Sequence, residues 1–433
     1  MINMSSWGNI EKSFSELNYI SSRNSLEDIL SLKTSFLPRG NGRSYGDVCT
    51  NSGYALLSSF FLDNIINFSP ENETITCESG ILLRDLQKFL VKKGYMLPVT
   101  PGTQLITVGG AIANDVHCKN HHLYGTFGNN LLSFKLVRSD GEILFCSRDV
   151  NQGLFRATIG GIGLTGFITE ATIKIRKINN IWINAENIAY SNLDEFYELA
   201  CKSEENYEHT VSWIDCITGN GQRGIFMRGN NSKEEEDYRE IKYHNLSVPF
   251  LMPFSLVNQF SLYGFNKLYY FVQSLKKCFK VHYEKFFYPL DNINQWNYIY
   301  GPKGFYQYQF VVPLSGGLDA VREVQREIAK AREGSFLGVL KTFGDIKPEG
   351  LLSFPYKGIT YALDFPNKGV STIKLLNRLD DIIKNAHGRL YLAKDARQPR
   401  VLFENGYKDN IEEFLKYKDP KISSDLSRRL LGV

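Results

Sequence analysis

The sequence predicts an α+β chain of two domains, and three observations carry that prediction. At 433 residues the chain exceeds what one hydrophobic core of usual size serves. Its first part mixes short strands and helices around two glycine-rich loops, with no regular strand-helix-strand beat. Its second part returns strand, helix and strand with hairpin-like spacing, the pattern of an antiparallel sheet backed by helices.

Each element has a local reason. A short helix is expected at 25–30 and a strand at 35–38, running into the glycine loop 39–47. Ile75, Cys77 and Ser79 alternate as a strand does. Leu82, Leu86, Phe89 and Leu90 recur at helical spacing, and Gly94 supplies a stop. Residues 134–138 and 142–146 flank Ser139-Asp140-Gly141, a hairpin turn. Phe167, Ala171, Ile173 and Ile175 share one parity, as in a half-buried strand. Farther on, Asn192-Leu193-Asp194-Glu195 reads as a capped helix start. Strands are expected at 306–312, 358–365 and 389–392, with helices at 318–329 and 371–386.

Composition narrows the partners. A net charge of +4 without a Lys/Arg block argues against nucleic acid. Seven cysteines, odd in number and never spaced C-x-x-C, fit a reducing, cytoplasmic setting and no disulfide framework. The start lacks a basic region followed by an apolar run, so no secretory signal is expected. No apolar run reaches the roughly 18 to 20 residues of a membrane span. The nearest, 246–272, is broken by Pro249, Pro253, Asn258, Gly264 and Lys267. It reads either as a core-facing loop and helix or as a surface that leans on lipid. The polar run 230–237 reads as an exposed loop.

Two loops propose a cradle for a pyrophosphate. Residues 101–122 place Gly109-Gly110 and hydroxyls beside His117 and Lys119, without the alternation of a strand and with glycines that argue against a helix. Arg39 to Asp47 adds Gly40, Gly42 and Gly46 for close approach, Arg39 and Arg43 for charge, and Ser44 for a hydroxyl bond. Gly161-Ile162-Gly163-Leu164-Thr165-Gly166 matches a dinucleotide fingerprint in letters only. A helical segment precedes it and a strand follows, the reverse of what that fingerprint needs. His117 and His121 have H-x-x-x-H spacing without the Glu of a metal hydrolase, and no metal is expected.

Arg39-Gly40-Asn41-Gly42-Arg43-Ser44-Tyr45-Gly46-Asp47, Pro101-Gly102-Thr103, Val108-Gly109-Gly110-Ala111-Ile112-Ala113, His117-x-Lys119-Asn120-His121-His122 and Gly163-Leu164-Thr165-Gly166 resemble flavoproteins of the vanillyl-alcohol oxidase type, with the PCMH-type FAD-binding fold. The likeness is strongest to the branch that oxidises lipid-linked ribose. It continues through Trp7-Gly8, Trp213, residues 306–310, 352–355, Asp364-Phe365-Pro366 and 391–397, and so covers nearly the whole chain.

The resemblance implies an FAD-binding domain at 1–175, rejoined by 393–433, and a substrate domain at 176–392. It assigns the flavin to Arg39, Gly40, Asn41, Gly42, Arg43, Ser44, Tyr45, Gly102, Thr103, Thr107, Val108, Gly109, Gly110, His117, Lys119, Asn120, Ile168 and Tyr391. Many relatives tether FAD through a His in the first loop. Arg43 stands there in this chain, which implies noncovalent FAD. Substrate-side residues would be Gln307, Gln309, Lys341, Trp213, Thr360 and Ala362, and the catalytic group Lys394, His117 and Tyr45.

The implied reaction moves hydride from the 2′-hydroxyl carbon of a polyprenylphosphoryl ribose to flavin, and a Lys or neutral His takes the hydroxyl proton. The implied partner is an NAD(P)H-dependent short-chain reductase that returns hydride to give the arabino epimer. No anchor is visible, so contact with the inner membrane face would be peripheral. The sequence departs from the actinobacterial pattern at Ala362 (Cys there), Thr360 and Gly338 (both Asn) and Cys118 (Gly). An aldonolactone or alditol oxidase acting on a soluble sugar is the alternative on the same fold.

Overall fold

The computed structural model describes residues 1–10, 12–20, 34–217, 222–234 and 246–433. The expected helix at 25–30 lies outside them, as does part of the run 230–237.

Three sheets organise the chain. A four-stranded sheet has the order Ile2–Asn3, Phe14–Tyr19, Ala55–Ser58, Phe36–Arg39. Its last three strands are parallel, a feature not expected from the sequence. Phe36–Arg39 runs straight into the first glycine loop. The C-terminal helix Arg400–Leu415 and the segment after it close over this sheet, so Phe403, Phe414, Ile422 and Leu426 share one apolar cluster with Phe36, Leu37 and Leu56.

A five-stranded antiparallel sheet follows, in the order Ile65–Ser69, Thr74–Glu78, Phe167–Lys174, Leu131–Val137, Ile143–Ser147. The hairpin forms where Asp140-Gly141 predicts it, with Gly141 at φ +90°. The register slips between Ile168 and Glu170, one extra residue that frees the Thr169 carbonyl to accept from Ser79 N–H.

The third sheet has eight antiparallel strands in the order Cys278–His282, Trp182–Tyr190, Gly224–Asn231, His209–Ile214, Val339–Phe343, Gly358–Pro366, Phe305–Pro313, Arg389–Leu390. Helices Leu193–Ser203, Gly317–Ala331 and Val370–Asn385 back one face, where Phe196, Val324, Leu376, Tyr361 and Phe310 pack together. Side chains alternate across a strand, so the residues between the core ones face the other way. Tyr308 and Phe310 enter the helix-backed core; Gln307 and Gln309 turn toward the cavity described below.

Three expectations need correction. The stretch 101–122 is not all loop: Val108–Ala113 is helical, capped by the Thr107 hydroxyl accepting from Gly110 N–H at 3.1 Å. Glycine weakens a helix in isolation, but a Cβ on Gly109 would lie 3.1 Å from the Ser79 side chain, so tertiary packing selects the small residue. Asn230 and Asn231 are not loop but end the strand Gly224–Asn231, and Ser232 is buried. Residues 246–272 turn only partly into the core: Val257 and Leu262 join a buried cluster with Trp296 and Phe305, but the helix Gln259–Leu275 buries only Leu262 and Asn266. Among the described residues no helix is long and apolar enough to cross a membrane. All seven cysteines are free thiols.

Candidate active site

The face of the eight-stranded sheet opposite its three backing helices, the glycine loop 40–46, the Val108–Ala113 helix and the segment around Asp291 enclose a cavity of about 720 Å³. That volume is in the range that takes a cofactor and a substrate portion.

One end is made of backbone. The N–H groups of Gly40 to Ser44 meet no acceptor among the described residues, a run of donors open to an anion. Gly42 turns the chain within this run at φ +61°, the left-handed region that glycine adopts without strain. Gly40 lets the loop close on the cap, since a Cβ there would sit 2.3 Å from Thr107 Oγ1. Asn41 Nδ2 donates to the Leu105 carbonyl at 2.8 Å and ties this loop to the second. Arg43 lies 4.1 Å over the Trp7 ring, and Arg39 donates to the Met4 and Ser5 carbonyls. Buried Ser79 Oγ and Asn114 Oδ1, both in the lining, have no partner. Free N–H groups, orphaned polar atoms and a narrow glycine floor fit a flavin dinucleotide.

The other end is made of side chains from distant segments. His117 sits between Lys341, whose Nζ is 3.2 Å from Nδ1, and Gln309, whose Nε2 is 3.1 Å from His117 Nε2 and 3.3 Å from Thr360 Oγ1. Lys341, an ammonium below about pH 8, has only protons to offer, so His117 Nδ1 accepts from it and the proton of the neutral ring lies on Nε2, toward the Gln309 carboxamide. Rings of Phe343, Phe354 and Tyr391 surround the imidazole at 4.9, 5.8 and 5.4 Å. Burial, with Lys341 next, holds its pKa well below 6.5, so it stays neutral.

Lys394 Nζ lies 3.8 Å from the Tyr45 ring centroid. Its turn is locked to the first loop: Tyr45 N–H donates to the Ala393 carbonyl, and a Cβ on Gly46 would stand 1.6 Å from the Asp395 carbonyl oxygen. Asp395 itself pairs with Arg429 at 2.8 Å, which leaves Lys394 to the cavity. Burial pulls Lys394 down to about 7, against the opposing charge of Asp364. It pulls Lys341 and Lys119 each to about 8, and it raises the Tyr45 phenol far above its usual value. Lys119 is held by the Phe286 carbonyl and lies 4.4 Å over the Phe286 ring.

Most residues singled out from the sequence therefore converge. Arg39 to Tyr45, Gly102, Thr103, Thr107, Gly109, Gly110, His117, Lys119, Ile168, Tyr391, Trp213, Gln307, Gln309, Lys341, Ala362 and Lys394 all line the cavity. Three do not. Val108 is fully buried core beneath the lining. Asn120 turns away to donate to the Pro98 carbonyl at 2.9 Å. Thr360 stands behind Gln309 and orients its amide.

Sequence reasoning missed Asp291 and Asp364 as site residues. Asp291 accepts from Thr103 Oγ1 and Gln104 N–H, both at 2.8 Å, and so pins the second loop. Asp364 accepts from Gln307 Nε2 at 2.7 Å, directly across the strand pair. A lone carboxylate inside the apolar strand Gly358–Pro366 was the available signal for the latter. The glycines 161–166 follow the helix Gln152–Thr158 and precede the strand Phe167–Lys174, and Gly163 reaches the cavity wall.

Comparison with known proteins agrees with this arrangement. A family model described as an FAD binding domain matches residues 23–147. Decaprenylphosphoryl-beta-D-ribose oxidase of Mycolicibacterium smegmatis is 32% identical over 411 residues, 91% of this chain and 88% of that one. An uncharacterized protein of Streptomyces coelicolor is 27% identical over 371 residues, 81% of this chain and all of its own length. L-gulonolactone oxidase of Mus musculus is 28% identical over 135 residues, 31% of this chain and 30% of its own. With a site that fits flavin and 91% of its length matched by one relative, this chain is an FAD-dependent oxidoreductase and belongs to the decaprenylphosphoryl-β-D-ribose oxidase family.

Proposed function

We propose that the protein oxidises the 2′-hydroxyl of a polyprenylphosphoryl-β-D-ribose to the 2-keto sugar, the first half of an epimerisation to the arabinose donor. The observation that carries this reading is the cluster of Lys119, Lys341 and Lys394 around one cavity, each with its pKa lowered by burial. A neutral lactone or alditol gives such a cluster no counter-charge, whereas a sugar phosphodiester does.

FAD, when bound, supplies the acceptor for the hydride of the carbinol C–H. The backbone of Gly40 to Ser44 would hold its pyrophosphate, and Arg43, which cannot replace a tethering His, would leave it noncovalent. Lys394, with a pKa brought to about 7, is neutral in about half the molecules at pH 7 and in that form takes the proton of the 2′-hydroxyl, while Tyr45 beneath it fixes the ammonium position. Neutral His117, oriented by Gln309, accepts or relays that proton, and Lys341 meets the phosphate. Gln307, held by Asp364, and Trp213 border the sugar.

In this reading 1–175 with 393–433 forms the flavin domain and 176–392 the substrate domain, supported by the packing of Phe403 and Ile422 against Phe36. A separate NAD(P)H-dependent short-chain reductase would complete the epimerisation. The test is anaerobic addition of a short-chain polyprenylphosphoryl ribose to the purified flavoprotein. Bleaching of a flavin band that acid precipitation releases is the expected result. A band left oxidised by this substrate but bleached by a soluble aldonolactone or alditol would overturn it.

A further inference from the structure

We propose that residues 246–275 form a face that docks on the headgroup and acyl boundary of an anionic lipid bilayer; the choice of lipid rests on the lipid-linked substrate proposed above. The outer surface of the helix Gln259–Leu275 is apolar where a globular protein is ordinarily polar. Phe260 is 89% exposed, Leu268 63%, Phe271 60% and Leu275 68%. At 100° per residue these four fall within a quarter turn, with Tyr263 on one side and Val272 and Phe265 on the other. The preceding segment adds exposed Leu246, Phe250, Leu251, Phe254 and Leu256. Single exposed apolar residues need no explanation, but a contiguous set of this size marks an interaction surface.

Charge chooses among the occupants. From Leu246 to Tyr283 the sequence has no Asp or Glu and four lysines: Lys267, Lys276, Lys277 and Lys280. Lys267, Lys276 and Lys277 are exposed at the helix and just past its end. A second copy docking by the same face would bring these lysines against their own equivalents. An anionic lipid surface meets them with opposite charge and takes the rings into its acyl boundary.

Position supplies the third argument. The helix that turns Phe260, Leu268 and Phe271 outward turns Tyr269 inward to the cavity wall. Phe265 stacks on Tyr269 at 5.6 Å, and Tyr269 meets Trp213 at 4.8 Å, also in that wall. An aromatic path thus joins the exposed face to the site where the sugar phosphate is placed, the geometry needed by a substrate whose tail stays in a membrane.

Vesicle flotation of the FAD-loaded full chain tests this without turnover. The wild type is expected to float with vesicles of equal phosphatidylglycerol and phosphatidylcholine, and less with phosphatidylcholine alone. Combined Phe260→Ser, Leu268→Ser and Phe271→Ser should lower the bound fraction at least about tenfold. Lys267→Glu with Lys276→Glu and Lys277→Glu should lower it about fivefold or more per lysine, and only on the anionic vesicles. Both variants should keep the FAD content and the rate of flavin bleaching by a short-chain substrate, which shows that they are folded. A wild type that stays with the unbound fraction overturns the proposal, as does an apolar-face variant that floats undiminished. A self-associated wild type that the Ser variant returns to monomer, without vesicle binding, assigns the face to a second copy and overturns it too. Flotation together with a flavin that short-chain substrate cannot bleach keeps the docking face and removes only the substrate reading.

Discussion

The two ends of the cavity are built from opposite materials. The flavin end uses main-chain N–H groups on a glycine loop, whose dipoles are fixed in place and do not titrate. The end proposed for the sugar uses Lys341, Lys394, His117, Gln307 and Gln309, side chains drawn from several strands and loops, and three of them are titratable groups carried into a buried site. The difference teaches that damage to the first end should cost binding and structure, while damage to the second should cost rate and move pH dependence.

The sharpest separation comes from Lys394→Met. It should slow anaerobic flavin reduction by about 10²- to 10⁴-fold, the usual weight of a positioned acid or base, while FAD content stays at one per chain. Loss of FAD along with the rate would erase the distinction between the ends. The same substitution has a second readout in the apoprotein. Burial brings the folded Lys394 down to about 7 from 10.5, so between these values the unfolded chain binds the extra proton and stability rises with pH. Lys394→Met should therefore raise the melting temperature at pH 7, and the gain should shrink as pH approaches 10.5.

At the backbone end, Gly46→Ala is the counterpart. Its Cβ would stand 1.6 Å from the Asp395 carbonyl oxygen, a backbone atom that cannot swing aside. The substitution should cost about 1 to 3 kcal/mol and loosen the first loop. Thermal melting and the ratio of flavin to protein absorbance measure both effects. Normal FAD content with a normal melt would show that the loop and the Lys394 turn are not locked together.

This asymmetry also decides what could be read beforehand. The glycine loops were legible because their chemistry is local: close approach and positive φ are properties of Gly40 and Gly42 themselves. The helix Gly317–Ala331 and the hairpin at Gly141 were legible for the same reason. Asp364 was not, because its role exists only once Gly358–Pro366 pairs with Phe305–Pro313 and sets it opposite Gln307. Nor was Asp291, which reaches Thr103 across 188 residues. The helix Gln259–Leu275 shows a different limit. Apolar spacing locates a helix, but it does not tell which apolar face turns inward when both sides carry aromatics.

Asp364→Asn tests the electrostatics of the sugar end with a smaller effect. The negative charge of Asp364 raises the Lys394 pKa against burial, so its removal lowers that pKa further. Because the base must be neutral, kcat/KM climbs as pH passes the free-enzyme pKa near 7. In the variant this acid limb should move to lower pH, by up to about one unit. A limb that moves upward, or not at all, would mean that Asp364 serves only to hold Gln307.

The smallest effect on rate is expected from Ala362→Cys. Ala362 pairs with Gln309 across the sheet and lines the cavity, but it offers no group that can donate, accept or carry charge. Hydride and proton leave the carbinol through other atoms, so a thiol here should change the rate of flavin reduction by less than about threefold, within the energy of one small packing change. What it should add is reactivity. The wild-type flavoprotein should keep its activity through treatment with a cavity-directed thiol reagent, whereas the variant should lose activity in step with labelling. Labelling of the wild type would instead point to half-buried Cys49 or buried Cys118, which also border the cavity. The pair of measurements therefore distinguishes a wall that merely shapes the pocket from one that takes part in the chemistry, and the carboxamide of Gln309 next to Ala362 marks where that boundary runs.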